Sequence, residues 1–242
     1  QTLSEIIEIK QKGFVGRNPY LKLLEDFALS QEEENYLVIH AVAGTGKSAL
    51  LAQFIGQWRK NHPNISLVAH YMSMGLDSRT IDGLMRSLAE QLKAMGIIEK
   101  DLDPDPSNLR SQVRQVLMNA MQRIVICLDG LDEMDENAKD LLWLPRILPQ
   151  QVRLIITTRP VKPWETLQSF PKIEKCELPP LEKSEIFEIL TQYERIHRLS
   201  LSMPDQELLW NRSAGNPLYL KVALDEILTS GMAVEQLVEG VE

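Results

Sequence analysis

The sequence predicts an α/β fold: a three-layer sandwich on a mostly parallel five-stranded sheet, followed by a small all-α helical subdomain. Two observations lead there. Between residues 19 and 178, short continuous apolar runs alternate with stretches whose apolar residues recur at helical spacing. After Pro179-Pro180 the alternation stops and only helical patterns remain. Alternating strands and helices imply crossover connections and a parallel sheet with helices on both faces. The proline pair is taken as the boundary between residues 1–180 and residues 181–242.

The elements follow in order. Residues 19–29 read as a helix, with Leu21, Leu24, Phe27 and Ala28 at helical spacing. Residues 31–35 are a polar, acidic connector, and 36–42 (YLVIHAV) an apolar run of the kind that forms a strand buried on both faces. A glycine-rich turn leads into an apolar helix from 47 to about 59. Residues 65–71 are a second strand, and 80–95 a helix with Ile81, Leu84, Leu88 and Leu92 on one face. The stretch 101–106 (DLDPDP) is a loop rich in breakers. A helix over 108–121 precedes strands at 124–128, 152–157 and, more polar, 173–178. Beyond the boundary, helices are predicted over 182–195, 204–212, 217–228 and 234–241.

Composition removes several classes of function. Apolar residues make up 44% and charged residues 25%, which argues against a disordered chain. The formal net charge of −8 disfavours a general electrostatic grip on nucleic acid. No apolar run approaches the roughly 20 residues needed to cross a bilayer, and there is no signal peptide pattern. Two cysteines, Cys127 and Cys176, make no disulfide framework, so a reducing, cytoplasmic setting is expected. The four histidines show no metal spacing with them, and no zinc site is expected. The chain begins at Gln1 and is expected to be a fragment of something longer or a processed product.

The most informative segment is Ala41-Val42-Ala43-Gly44-Thr45-Gly46-Lys47-Ser48, with a strand before it and an apolar helix after it. That is the setting of a P-loop. Gly44 and Gly46 let the backbone wrap a phosphate without a Cβ in the way. The N–H groups and the positive end of the helix then face the anion. Residues Ala43, Gly44, Thr45, Gly46, Lys47, Ser48 and Ala49 are the expected phosphate lining. Lys47 is expected at the β- and γ-phosphates and the Ser48 hydroxyl on Mg²⁺. Ala41 replaces the motif's first glycine, at the position furthest from the phosphates.

A second signal is Ile124-Val125-Ile126-Cys127-Leu128-Asp129, a strand ending in an acid. Such an acid sits at the crevice where ligands bind in parallel sheets. Asp129 is the expected metal ligand. Of the acids that follow, Asp132 is preferred for polarising an attacking water, with Glu133 second. A third signal is Leu154-Ile155-Ile156-Thr157-Thr158-Arg159, expected beside the first strand. There Thr157, Thr158 or Arg159 would report on the γ-phosphate, and Arg159 would stabilise charge in the transition state; the alternative is a surface arginine before Pro160.

These segments in this order resemble the STAND class of P-loop NTPases. The run Leu128-Asp129-Gly130-Leu131-Asp132-Glu133 looks most like its NACHT branch, which is NB-ARC-like. Phe14-Val15-Gly16-Arg17 resembles the family's N-terminal nucleotide motif, which implies that Phe14, Val15, Gly16 and Arg17 line the adenine and ribose. Gly215-Asn216-Pro217-Leu218 resembles its Gly-x-Pro motif, which implies that Pro217 touches the base. The same segment is a sound helix stop and restart. The resemblance covers roughly residues 13–230.

The resemblance implies an ATP- and ADP-binding switch with Mg²⁺, whose exchange and slow hydrolysis govern opening and oligomerisation in innate-immunity, cell-death or defence signalling. Nucleotide is the implied ligand, with self-association or other protein domains as partners through the full-length chain. Direct nucleic-acid contact and membrane contact are not indicated. The alternatives are a P-loop ATPase of the remodelling or kinase type, or a nucleotide-bound scaffold without turnover. A kinase lid would want clustered arginines, and residues 182–242 carry only Arg195, Arg198 and Arg212.

Overall fold

In the computed structural model, which describes residues 2–231 and 233–238, five strands form one sheet. They are β1 (Tyr36–His40), β2 (Ser66–Tyr71), β3 (Ile124–Asp129), β4 (Val152–Thr158) and β5 (Ile173–Glu177). Their spatial order is β2-β3-β4-β1-β5, and every pairing is parallel. The predicted adjacency of the first strand and the Thr157 strand holds: Tyr36 pairs with Leu154 and His40 with Thr158. The apolar runs are continuous because β3 and β4 are buried along their whole length. The edge strand β5, only half-buried, is correspondingly the polar one.

Alternate residues feed two cores. Leu37, Ile39, Val125, Cys127 and Ile155 face helices α1 (Leu3–Gln11), α2 (Asn18–Leu29) and α3 (Lys47–Asn61). Tyr36, Val38, Ile126, Leu154 and Ile156 face α4 (Ile81–Ala94) and α5 (Pro106–Met118). The β3–β4 crossover completes that second layer with two 3-10 turns, Leu131–Glu133 and Glu136–Ala138, and irregular chain. Leu141, Leu144 and Leu148 seal it, and a cavity of about 560 Å³ remains between the crossover, α4 and α5. Short α6 (Lys162–Leu167) links β4 to β5. A third core, drawn entirely from residues 181–234, joins α7 (Lys183–His197), α8 (Met203–Ser213) and α9 (Pro217–Ser230).

Some boundaries differ from the sequence expectation. β1 ends at His40 rather than residue 42, because the Ala41 and Val42 carbonyls turn inward to accept from Lys47 Nζ, at 2.8 and 2.9 Å. α1 and α6 were not read from the sequence. The predicted 234–241 helix is a 3-10 turn over Val234–Val238, and its last three residues lie outside the described ones.

Helix α3 carries the turn that matters most, and its anchor is Trp58, 1% exposed, with Nε1 donating to Ile65 O. Trp58→Ala is expected to cost about 3–5 kcal/mol, the usual price of an aromatic cavity. Urea unfolding measures it, and a loss below about 1 kcal/mol would mean that α3 is held chiefly by its other contacts.

Candidate functional site

The site lies at the carboxyl ends of β1, β3 and β4. Gly46 is the N-cap of α3, with φ of 92°, and Gly44 has φ of 79°. Both are left-handed positions that side chains resist. The Thr45 hydroxyl donates to Val42 O at 2.9 Å and closes the turn. The first N–H groups of a helix have no acceptor within it, so this turn presents donors and a positive dipole end. Lys47 is drawn in by its two carbonyl bonds; burial lowers its pKa, and Asp132 and Asp129 oppose that. A turn of this shape is built to take a phosphate.

Asp129 ends β3 and is 3% exposed. Its Oδ1 accepts from the Thr157 hydroxyl at 2.7 Å, and that hydroxyl accepts from the Gly130 N–H at 2.9 Å. Burial raises the pKa of the carboxyl; the bond from Thr157, the charge of Lys10, the Ser48 hydroxyl and Lys47 all favour ionisation. One buried carboxylate with a serine hydroxyl beside it is the hard oxygen set that Mg²⁺ prefers, so Asp129 and Ser48 fit that ion.

The other two acids have different surroundings. Both oxygens of Asp132 are occupied by Arg159: Oδ1 accepts from its backbone N–H at 2.9 Å and Oδ2 from Nε at 2.9 Å. The Glu133 carboxylate has no hydrogen bond within the described residues, and burial, then Asp129 and Asp132, raise its pKa. Thr158 bonds its neighbour's carbonyl, Arg159 O, at 3.1 Å.

Among the described residues, two groups of contacts join this crevice to the C-terminal helices. Glu185 caps α7 by accepting from Glu182 N–H at 2.9 Å, and its other oxygen accepts from the Arg17 N–H at 3.1 Å. A Cβ on Gly16 would lie 2.4 Å from that carboxylate, so only glycine permits the approach. The Arg17 guanidinium donates to Pro179 O at 2.6 Å and reaches Thr45 O at 3.5 Å. Burial lowers its pKa against the opposing charge of Glu185.

The second group centres on Asn216. Its Oδ1 caps α9 through the N–H groups of Leu218 and Tyr219, at 2.9 and 3.2 Å. Its Nδ2 donates to Ala43 O at 3.2 Å, and Leu218 N–H donates to Gly44 O at 3.3 Å. Pro217 Cγ lies 3.6 Å from the position of a Cβ on Gly46.

The structure therefore gathers Gly16, Arg17, Ala43, Gly44, Thr45, Gly46, Lys47, Ser48, Asp129, Asp132, Glu133, Arg159 and Pro217 around one crevice. Phe14 packs against the α3-side core, and Val15 beside it is buried. Residues not singled out from the sequence are Glu185, Asn216 and Lys10. Their local signals were slight: an acid at the third position of a helix, and an asparagine before a helix-starting proline, both ordinary capping features.

Comparison with known proteins agrees with this geometry. Residues 35–196 match the family model of the NACHT domain. Tetratricopeptide repeat protein 41 of Rattus norvegicus is 27% identical over 217 residues, covering 80% of this chain and 16% of that protein. Human nephrocystin-3 is 26% identical over 148 residues, covering 59% of this chain and 11% of that protein. A TPR repeat-containing protein of Dictyostelium discoideum is 22% identical over 256 residues, covering 84% and 15%. The chain thus spans about a sixth or less of the length of these relatives. Among solved structures, a Walker-type ATPase of Pyrococcus abyssi superposes with a TM-score of 0.61 at 15% identity, covering 93% of this chain and 71% of that one. Drosophila ORC bound to DNA superposes with a TM-score of 0.59 at 16% identity, covering 98% and 68%. These two likenesses establish the fold. With the family match across most of its length and a P-loop facing a buried strand-end aspartate, the chain belongs to the NACHT domain family of nucleotide-binding P-loop NTPases.

Proposed function

We propose that this chain is a nucleotide-operated switch within a longer protein, binding ATP or ADP with Mg²⁺ and hydrolysing ATP slowly. The observation that carries the reading is the seam at the P-loop. The carbonyls of Ala43 and Gly44 accept from Asn216 and Leu218, on the helical side of the Pro179-Pro180 boundary. Whatever occupies the turn thus shares its backbone with the contact between residues 1–180 and 181–242. A ligand that favours one arrangement of the two units shifts their balance by its difference in affinity.

Each residue has a part in this scheme. The turn and Lys47 bind the phosphates, and Asp129 and Ser48 would hold Mg²⁺. When bound, the metal neutralises phosphate charge and orients the transferring group. Glu133 takes the proton of the attacking water at its carboxylate. The preference moves from Asp132 to Glu133 because Asp132 is committed to Arg159 while Glu133 is not. Asp132 then positions Arg159. Pro217 and the Gly16-Arg17 segment border the nucleoside end. The net charge of −8 supports a role without direct nucleic-acid contact. The tetratricopeptide-repeat names of two relatives support protein partners, self-association included, for the longer chain.

The first test is to denature freshly purified protein and identify released nucleotide by chromatography and mass. Roughly stoichiometric ADP supports a closed switch, whereas none, with rapid exchange of added ATP, favours an open turnover enzyme. Lys47→Ala is expected to weaken ATP binding at least about tenfold, the scale of one charge-assisted contact, without unfolding. Equal affinity in mutant and parent would refute the P-loop assignment. Glu133→Gln is expected to lower turnover about a hundredfold, more than Asp132→Asn does; the reverse order in a phosphate-release assay would return the base to Asp132. Asn216→Ala removes a cap of about 1 kcal/mol together with its strut to Ala43, so ADP should dissociate about fivefold faster. Stopped-flow displacement of a fluorescent ADP analogue checks this, and an unchanged rate would show that the seam does not hold the ligand.

A further inference from the structure

Helix α1 precedes the matched segment 35–196, yet its last turn reaches the metal end of the crevice. Ile6 and Ile7 are buried in the α3-side core, and Gln11 Nε2 donates to Ala52 O at 3.2 Å. With the helix pinned this way, Lys10 Nζ stands 5.6 Å from the centre of the Tyr71 ring. Tyr71 is the last residue of β2 and pairs in register with Asp129, the last of β3. Paired residues on neighbouring strands point to the same face. Lys10 therefore overhangs a pair made of a buried tyrosine and the buried strand-end carboxylate.

Two further observations fit this placement. The Tyr71 hydroxyl is buried without a hydrogen-bond partner among the described residues, so it offers Asp129 no donated bond. Lys47, the other lysine whose charge reaches Asp129, has its ammonium on the carbonyls of Ala41 and Val42, and the charge of Arg59 acts on Tyr71. A buried carboxylate needs a countercharge, and through its place over the paired Tyr71 the Lys10 ammonium is one of the cations that can supply it.

We infer that Lys10 is a positioning residue of the metal end: its ammonium balances Asp129 in the absence of metal and sets the Mg²⁺ concentration at which nucleotide is held tightly. A cation beside Asp129 works against entry of a second one, while lending the crevice a charge that attracts phosphate. Removing it should make nucleotide binding weaker without metal and more responsive to metal. The inference rests on the nucleotide-binding reading.

The test is equilibrium binding of a fluorescent ATP analogue to the whole chain, in EDTA and across a MgCl₂ titration. Lys10→Met is expected to lower the half-maximal Mg²⁺ concentration at least about threefold and to weaken binding in EDTA by a similar factor. Lys10→Arg should restore the parent values. Lys12→Met, which removes an exposed lysine two residues along, should match the parent. Circular dichroism checks folding, and Lys10→Gln repeats the test should Lys10→Met lose its fold. A parent-like half-point in the folded variants overturns the inference, as does an equal shift in Lys12→Met, which would mean diffuse surface charge. If the parent chain binds no nucleotide at all, the underlying reading falls first, before any variant is compared.

Discussion

A carboxylate buried at the end of a central strand is the constraint on which this architecture turns. Taking Asp129 out of water costs several kcal/mol unless other groups replace the lost solvation. No single element supplies them. Thr157 comes from the neighbouring strand β4, Ser48 and Lys47 from the first turn of α3, and Lys10 from the last turn of α1. The strand order provides the meeting point. β4 lies between β3 and β1, so the hydroxyl that holds Asp129 stands next to the strand from which the glycine turn departs. The buried charge and the glycine turn thereby share one crevice.

The seam with the C-terminal helices is economical in the same way. Glu185 and Asn216 are capping residues by local chemistry, each satisfying N–H groups that a helix start leaves open. Each also bonds a residue on the sheet side of the chain: Glu185 accepts from the Arg17 N–H and Asn216 donates to Ala43 O. Helix capping and contact between the C-terminal helices and the sheet therefore reside in the same side chains. The Asp132–Arg159 pair does something comparable within the crevice, tying the loop after β3 to the end of β4.

Much of this was legible in the residues. Strands buried on both faces leave unbroken apolar runs, and Ile124 to Asp129 announces both the strand and its terminal acid. The glycine turn was legible because its chemistry is local. What escaped has a physical reason in each case. Helix α1 buries only Ile6 and Ile7 fully in nine residues, too short a stripe to stand out as a period. The early end of β1 depends on a lysine side chain bonding backward to its own loop. Arg159 read as a phosphate sensor from its place after a strand, but its partner, 27 positions earlier, appears only in three dimensions. Lys10, Glu185 and Asn216 act at distances along the chain that no spacing rule reaches, and their local roles conceal the longer ones.

Gly16 and Gly44 each leave the room that a side chain from across the seam occupies. A methyl group on Gly16 would strike the Glu185 carboxylate, and one on Gly44 would come within 2.6 Å of the Asn216 amide. At φ of 67° and 79° a side chain on either glycine is strained, and it would also have to push the end of its partner's side chain aside. The two positions in each pair are thus bound to one evolutionary fate. Across diverging descendants of this chain, 16 with 185 and 44 with 216 should drift together or not at all, leaving a record of the closed contact in sequence alone.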